Sequence, residues 1–226
     1  SDTNINLAGT NVTISGTGAA FKGVSANNIN MIGGIVNVTS SGTGATFTNA
    51  SNAIDSYSSA AFSADSGLNI TGGSVTTSCS GNGGKGLKSD GTITIGSDTG
   101  NPTLNIRTTG NRFTVSGSNY NHPKTVAGVG AVTINNGNIT INSSDDGIHS
   151  DATLIVNGGN TVVNATSTTQ GMGEGVEAPI IRFNGGVTNI TSSNDGINAT
   201  YGTVAGGTES NDNSHLYITG GIVIVA

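Results

Sequence analysis

Apolar residues recur at alternate positions in short runs along this chain, and glycine pairs punctuate the runs. The unit reads Asn28-Ile29-Asn30-Met31-Ile32-Gly33-Gly34-Ile35-Val36-Asn37-Val38 and returns as Leu68-Asn69-Ile70-Thr71-Gly72-Gly73. It continues as Val132-Thr133-Ile134-Asn135-Asn136-Gly137, Leu154-Ile155-Val156-Asn157-Gly158-Gly159, Ile181-Arg182-Phe183-Asn184-Gly185-Gly186 and Leu216-Tyr217-Ile218-Thr219-Gly220-Gly221. After each pair the second and fourth residues tend to be apolar, as in Val36 and Val38, Ile139 and Ile141, and Val223 and Val225. Period two is the signature of a strand that buries one side and solvates the other. The glycine pair supplies the positive φ of a tight corner, which a Cβ resists.

A second unit, Gly-apolar-x-Ser/Ala, reads as another corner. It occurs as Gly86-Leu87-Lys88-Ser89, Gly147-Ile148-His149-Ser150, Gly175-Val176-Glu177-Ala178 and Gly196-Ile197-Asn198-Ala199. Gly137 precedes Gly147 by ten residues, as Gly186 precedes Gly196. Two corners in fixed order, one coil after another, predict an all-β parallel β-helix, a solenoid with three faces. Crossovers between parallel strands are right-handed in about 98% of cases, so the expected hand is right. Solenoids with five- or six-residue faces would repeat on a shorter period.

The repeat predicts one domain over residues 1–226, clearest over 66–226 and looser over 1–65. In the looser part the corners are expected near Gly23-Val24-Ser25-Ala26 and Ala53-Ile54-Asp55-Ser56. Residues 107–124 and 199–214 break the period and read as loops leaving the solenoid, where functional residues often sit. The chain opens in mid-pattern at Ser1, as an excised or processed segment would.

Composition narrows the class. With 37 Gly, 3 Pro, no Trp and only 9% charged residues, the chain suits a narrow core repeated many times, not a broad one. Disorder is excluded by the β-branched residues at alternating positions. A net charge of −6 with seven scattered basic residues argues against nucleic acid. No apolar run is long enough to span a bilayer. The lone Cys79 rules out an internal disulfide framework and lies on the inward side of a strand.

The stretches Gly83–Ile95, Asp145-Asp146-Gly147-Ile148-His149-Ser150-Asp151 and Asn194-Asp195-Gly196-Ile197-Asn198-Ala199 resemble the carbohydrate-binding β-helix family of clostridia and Bacteroidetes. The resemblance covers residues 66–226 well and thins before them. His122-Pro123-Lys124-Thr125-Val126 is similar to that family's Ser-Pro-Lys-Ala-Ile corner, although Ala127-Gly128-Val129-Gly130 stands where members usually carry a Lys and an Asp. The resemblance implies a pectate-lyase-like fold, calcium (Ca2+) as cofactor, acidic polysaccharide as partner and an extracellular or cell-surface bacterial setting.

Aligned on their glycines, the second corners put Asp146, Glu174 and Asp195 in one column and His149, Glu177 and Asn198 in another. Coils stack at about 4.8 Å. Carboxylates about 5 Å apart repel by roughly 3 kcal/mol at an effective dielectric of about 20. Such a column asks for a cation, a raised pKa or splayed side chains. Calcium suits the oxygen-rich set Asp145, Asp146, Asp151, Glu174, Glu177, Asn194, Asp195 and Asn198. A solvated acidic edge and a salt-bridge ladder through Lys85 and Lys124, in the same column on preceding coils, are the competing readings. His122, His149 and His215 lie far apart in coil order, so no transition-metal site is expected.

Arg112, Tyr120, His122 and Lys124 form the best cluster for ligand contact, with loop anchoring as the alternative role. A lyase would need a Lys base of depressed pKa, and the acidic column is expected to raise Lys pKa values instead. The expected function is non-catalytic, calcium-assisted binding of acidic, polyuronate-like polysaccharide by a monomer. A lyase of the same fold and a structural stalk or adhesin are the alternatives.

Overall fold

The computed structural model describes residues 3–169, 172–203 and 212–226. Among these the chain is all-β, with one short 3-10 turn at Tyr201–Thr203 and no α-helix. Almost every strand pairs in parallel with its counterpart one coil away, which is the arrangement of a β-solenoid.

Each complete coil contributes three strands. Face 1 stacks Lys85–Ser89, Val126–Gly128, Ile148–Ser150, Val176–Ala178 and Ile197–Ala199. Face 2 stacks Thr92–Ile95, Val132–Ile134, Thr153–Val156, Ile180–Phe183 and His215–Ile218. Face 3 is an eight-stranded parallel sheet running from Asn11–Gly16 to Ile222–Val225. Upstream, Lys22–Met31 and Ala60–Ile70 each run through faces 1 and 2 without a break. The Gly-apolar-x-Ser/Ala unit is therefore a strand of face 1, not a corner. The glycine is needed there because its neighbours crowd it: a Cβ on Gly147 would lie 2.3 Å from Val163.

The core is a set of columns. Leu68, Ile93, Val132, Leu154 and Ile181 stand in register on face 2 and are wholly buried. In the glycine pairs only the second glycine takes positive φ, as at Gly73 (81°) and Gly186 (76°). The first is demanded by close backbone approach, since a Cβ on Gly185 would sit 2.4 Å from Asn157 O. Outside the core, asparagines bond coil to coil, with Asn157 Nδ2 donating to Asn135 Oδ1 (2.9 Å) and Asn184 Nδ2 to Asn157 Oδ1 (2.8 Å).

The looser segment needs correction. Ala45–Thr48 and Ile54–Tyr57 form an antiparallel hairpin that leaves the solenoid, so Ile54-Asp55-Ser56 is no corner. The face 1 strand of that coil is Ala60–Ala64, with Ala60 opposite Lys22 and Phe62 opposite Val24. It escaped detection because Ala61 occupies the usual glycine position. Arg107 and Thr108 still belong to face 3, and the second excursion is a hairpin of Phe113–Ser116 with Asn119–Asn121. Ala199 closes a face 1 strand, and the remainder of the 199–214 loop lies partly outside the described residues. Cys79 is buried on face 3, where desolvation pushes its thiol up to about 11.

Candidate functional site

Face 1 carries the chemistry because its short strands leave outward positions beneath two overhanging hairpins. Register places Lys85, Lys124 and Asp146 in successive coils, with Glu174 next. Two residues past the glycine position come Lys88, Ala127, His149, Glu177 and Asn198. The columns read from the sequence are present, and the cations precede the acids.

Lys124 is the pivot. Its Nζ lies 2.5 Å from Asp146 Oδ2 and 2.6 Å from His149 Nδ1. With Lys124 charged, His149 Nδ1 accepts, and the ring proton sits on Nε2 toward Asp151 Oδ1 at 2.8 Å. Glu177 Oε1 lies 3.4 Å from His149 Nδ1. Burial works against the charged form of Lys124, but the charges of Asp146 and Glu177 outweigh it and hold the amine above its ordinary value. Burial likewise opposes ionisation of Asp146. The adjacent Lys124 charge, joined by the nearby His149 ring and the hydrogen bond from Lys124, overcomes it and keeps the carboxyl well below its usual range. Glu177 is shifted up, chiefly by burial.

Lys85 behaves in the opposite way. It is 6% exposed, and its Nζ donates to Asn121 Oδ1 at 2.9 Å and to the His122 carbonyl. Burial first, then the Lys124 charge, lowers its pKa to about 7. The expectation that the acidic column would raise every nearby Lys thus holds for Lys124 and fails for Lys85, which has no carboxylate in direct contact among the described residues.

The other site residues divide into groups. Asp145 turns away from Asp146, is 1% exposed, and accepts from His122 Nδ1 (2.7 Å) and Gly173 N (3.2 Å). His122 packs edge-on to Tyr120, over which Arg112 stacks at 3.8 Å. Arg112, Tyr120 and His122 therefore tether the second hairpin to Asp145, the anchoring role. His122 and His149 also border one cluster through Lys124, although they are distant in the chain; His215 lies on face 2. Glu174 Oε1 accepts from Asn194 Nδ2, whereas Asn194 and Asp195 are exposed and Asn198 lies two coils from His149.

The residues present do not fit calcium. That ion takes six to eight oxygen ligands. Among the His, Cys, Asp and Glu side chains of the described residues, one group gathers its ligand atoms within 4.8 Å: Asp146, His149 and Glu177. One of its three donors is a nitrogen, and the Lys124 ammonium already contacts both Asp146 and His149. The cation that the carboxylates require is a side chain of the preceding coil.

Beside this cluster lies a cleft of about 220 Å3, lined by Ser58, Lys85, Lys88, Asn121, Ala127, Val129, His149 and Asp151 among others. Sequence reading missed its neighbour, a cleft of about 370 Å3 under the first hairpin with Tyr57 and Lys22 in its wall. Tyr57 was passed over because it sits in a segment assigned to a coil. A family model described as "Carbohydrate-binding domain-containing protein" matches residues 97–171, a third of the chain. That stretch includes the second hairpin, Lys124, Asp146 and His149, and the match supports carbohydrate binding as the class of activity. No curated protein and no solved structure matches the chain.

Proposed function

We propose that face 1 binds an acidic polysaccharide without cleaving it, with the cleft at Lys88 and His149 receiving a uronate unit. The observation that carries this reading is the set of basic side chains Lys85, Lys88 and Lys124 along one wall of a solenoid similar to a carbohydrate-binding family. Lys88 is the cation best placed for a ligand. Its side chain is 23% exposed and its partner, Asp90, is 53% exposed, so the pair is open to exchange for a sugar carboxylate. Asn121 and Ser58 supply polar contacts for hydroxyls at the same cleft.

Residues 1–226 act as one binding module, a right-handed, pectate-lyase-like solenoid, that hand being the one parallel crossovers favour. The module works as a monomer on an extracellular or cell-surface bacterial protein. Charge reversal by calcium is replaced by charge supplied chiefly from Lys88. Binding of oligouronates, followed by calorimetry, is expected to survive chelator and to weaken at least about tenfold in Lys88→Ala, the loss of one charge-assisted contact. Loss of binding on chelation would instead restore the calcium-bridged mode.

A lyase is the second reading, favoured by burial lowering the Lys85 pKa to about 7, so that a substantial share of the amine is neutral there. Its 6% exposure and its two hydrogen bonds to the hairpin place binding ahead of elimination. Growth of unsaturated-uronate absorbance with time, abolished in Lys85→Met, would decide for the lyase.

A further inference from the structure

The cleft beneath the Ala45–Tyr57 hairpin has no part in the cluster around Lys124, yet it is built like a sugar site. Tyr57 is 49% exposed, and Phe47 stacks on one face of its ring at 4.2 Å and 18°. A backed, half-open aromatic ring is a platform for the C–H face of a pyranose. Lys22 Nζ lies over the ring, 5.5 Å from its centroid, and Ser63, Asp65 and Asp90 stand around it. Two cations, Lys22 and Lys88, face two carboxylates, Asp65 and Asp90, so the lining is balanced in charge. At about 370 Å3 the cleft falls in the size range of small-ligand sites.

Two observations join it to the uronate cleft. Ser58 and Lys88 line both. Asn121 Nδ2, on the second hairpin, donates to Ser56 Oγ (3.2 Å) and Ser58 Oγ (2.9 Å) on the first, which holds the two overhangs in a set relation. A glycan lying across the coils along face 1 meets a cationic cleft and then an aromatic, charge-balanced one.

We propose that this second cleft is a subsite for a neutral pyranose, so that the preferred ligand is a heteroglycan in which an acidic unit neighbours a neutral one. Tyr57 is the stacking residue. Asp65, Asp90 and Ser63 accept or exchange hydrogen bonds with hydroxyls, a role that a second uronate at this position would oppose. The inference rests on the carbohydrate-binding reading of face 1 and adds to it the composition of the chain bound.

The test compares an oligosaccharide of alternating acidic and neutral sugars, an oligouronate of equal length and a neutral oligosaccharide. Each is titrated into the whole protein and into its Tyr57→Ala and Tyr57→Leu variants. The alternating ligand should bind at least about fivefold more tightly than the oligouronate, and both Tyr57 variants should lose that advantage. Tyr57→Leu keeps apolar bulk in the hairpin, so a fall in both variants with an unchanged circular dichroism spectrum reports the ring. Equal affinity for the two acidic ligands, or a preference that survives in both Tyr57 variants, would overturn the subsite while leaving uronate binding intact. Should no acidic ligand bind, perturbation of the Tyr57 ring signals in NMR by the neutral oligosaccharide would still support the subsite and dismiss only the uronate cleft. Silence from all three ligands would end both.

Discussion

Lys124 and Lys85 occupy equivalent positions one coil apart, and their contrast shows how far a single neighbour sets a side chain's chemistry. Lys124 meets Asp146 at 2.5 Å and stays charged; Lys85 meets an amide oxygen and a carbonyl and approaches neutrality near pH 7. Replacing Lys124 by Met strands Asp146 and Glu177 in a buried place without their ammonium. The expected cost is about 3 kcal/mol by denaturant unfolding, and the double variant with Asp146→Asn should recover much of it. Lys85 makes stability depend on pH with the opposite sign to a salt-bridged lysine. Its folded pKa, about 7, lies below the unfolded value near 10.5, so between these the unfolded chain holds the extra proton. Stability contributed through Lys85 should therefore rise as pH climbs from about 7 to about 10, by an amount on the order of 4 kcal/mol at full neutralisation. Lys85→Met should flatten that rise relative to the parent protein; an identical pH profile in the two would show that Lys85 is charged when folded.

The strands tolerate departures from the apolar pattern as long as their outward and inward alternation holds. On face 3 the inward positions Thr77, Thr161 and Thr188 are buried, and their hydroxyls have no hydrogen-bond partner among the described residues. Thr161 stands opposite Ile139 in one neighbouring coil and Thr188 in the other. A buried hydroxyl without a partner costs free energy that a methyl of the same shape does not. Thr161→Val is expected to stabilise the protein by about 1 kcal/mol, seen as a higher melting temperature; a fall would mean that the hydroxyl is satisfied. The two hairpins are elements of a different kind. They pair antiparallel outside the coil ladder and bring Tyr57 and Asn121 over face 1, so they bound the site without belonging to the repeat.

For the whole molecule, each coil is stable because its neighbours cover it: Leu154 and Ile181 stand in register on adjacent coils and are wholly buried. The strands of the second hairpin, which pair outside that ladder, should open before the coils do. Amide hydrogen exchange is expected to be slowest over Thr103–Thr108 and Asn138–Ser143 and faster over Phe113–Ser116 and Asn119–Asn121. Uniform protection along the chain would show coils and hairpins opening as one unit. By itself the sequence determined the stack: period-two burial and glycine pairs such as Gly158-Gly159 are local rules, and repetition makes local rules legible. It also placed Asp146, Glu174 and Asp195 in one column, because register follows from counting between glycines. Only the tertiary structure decided which way Asp145 and Asp146 turn, that the Lys124 ammonium meets Asp146, and that Lys85 is desolvated. Those outcomes depend on the hairpins, whose position over face 1 is set by contacts such as Asn121 with Ser58, 63 residues away in the chain. No local pattern encodes a contact of that range, since it arises from the packing of one excursion against another.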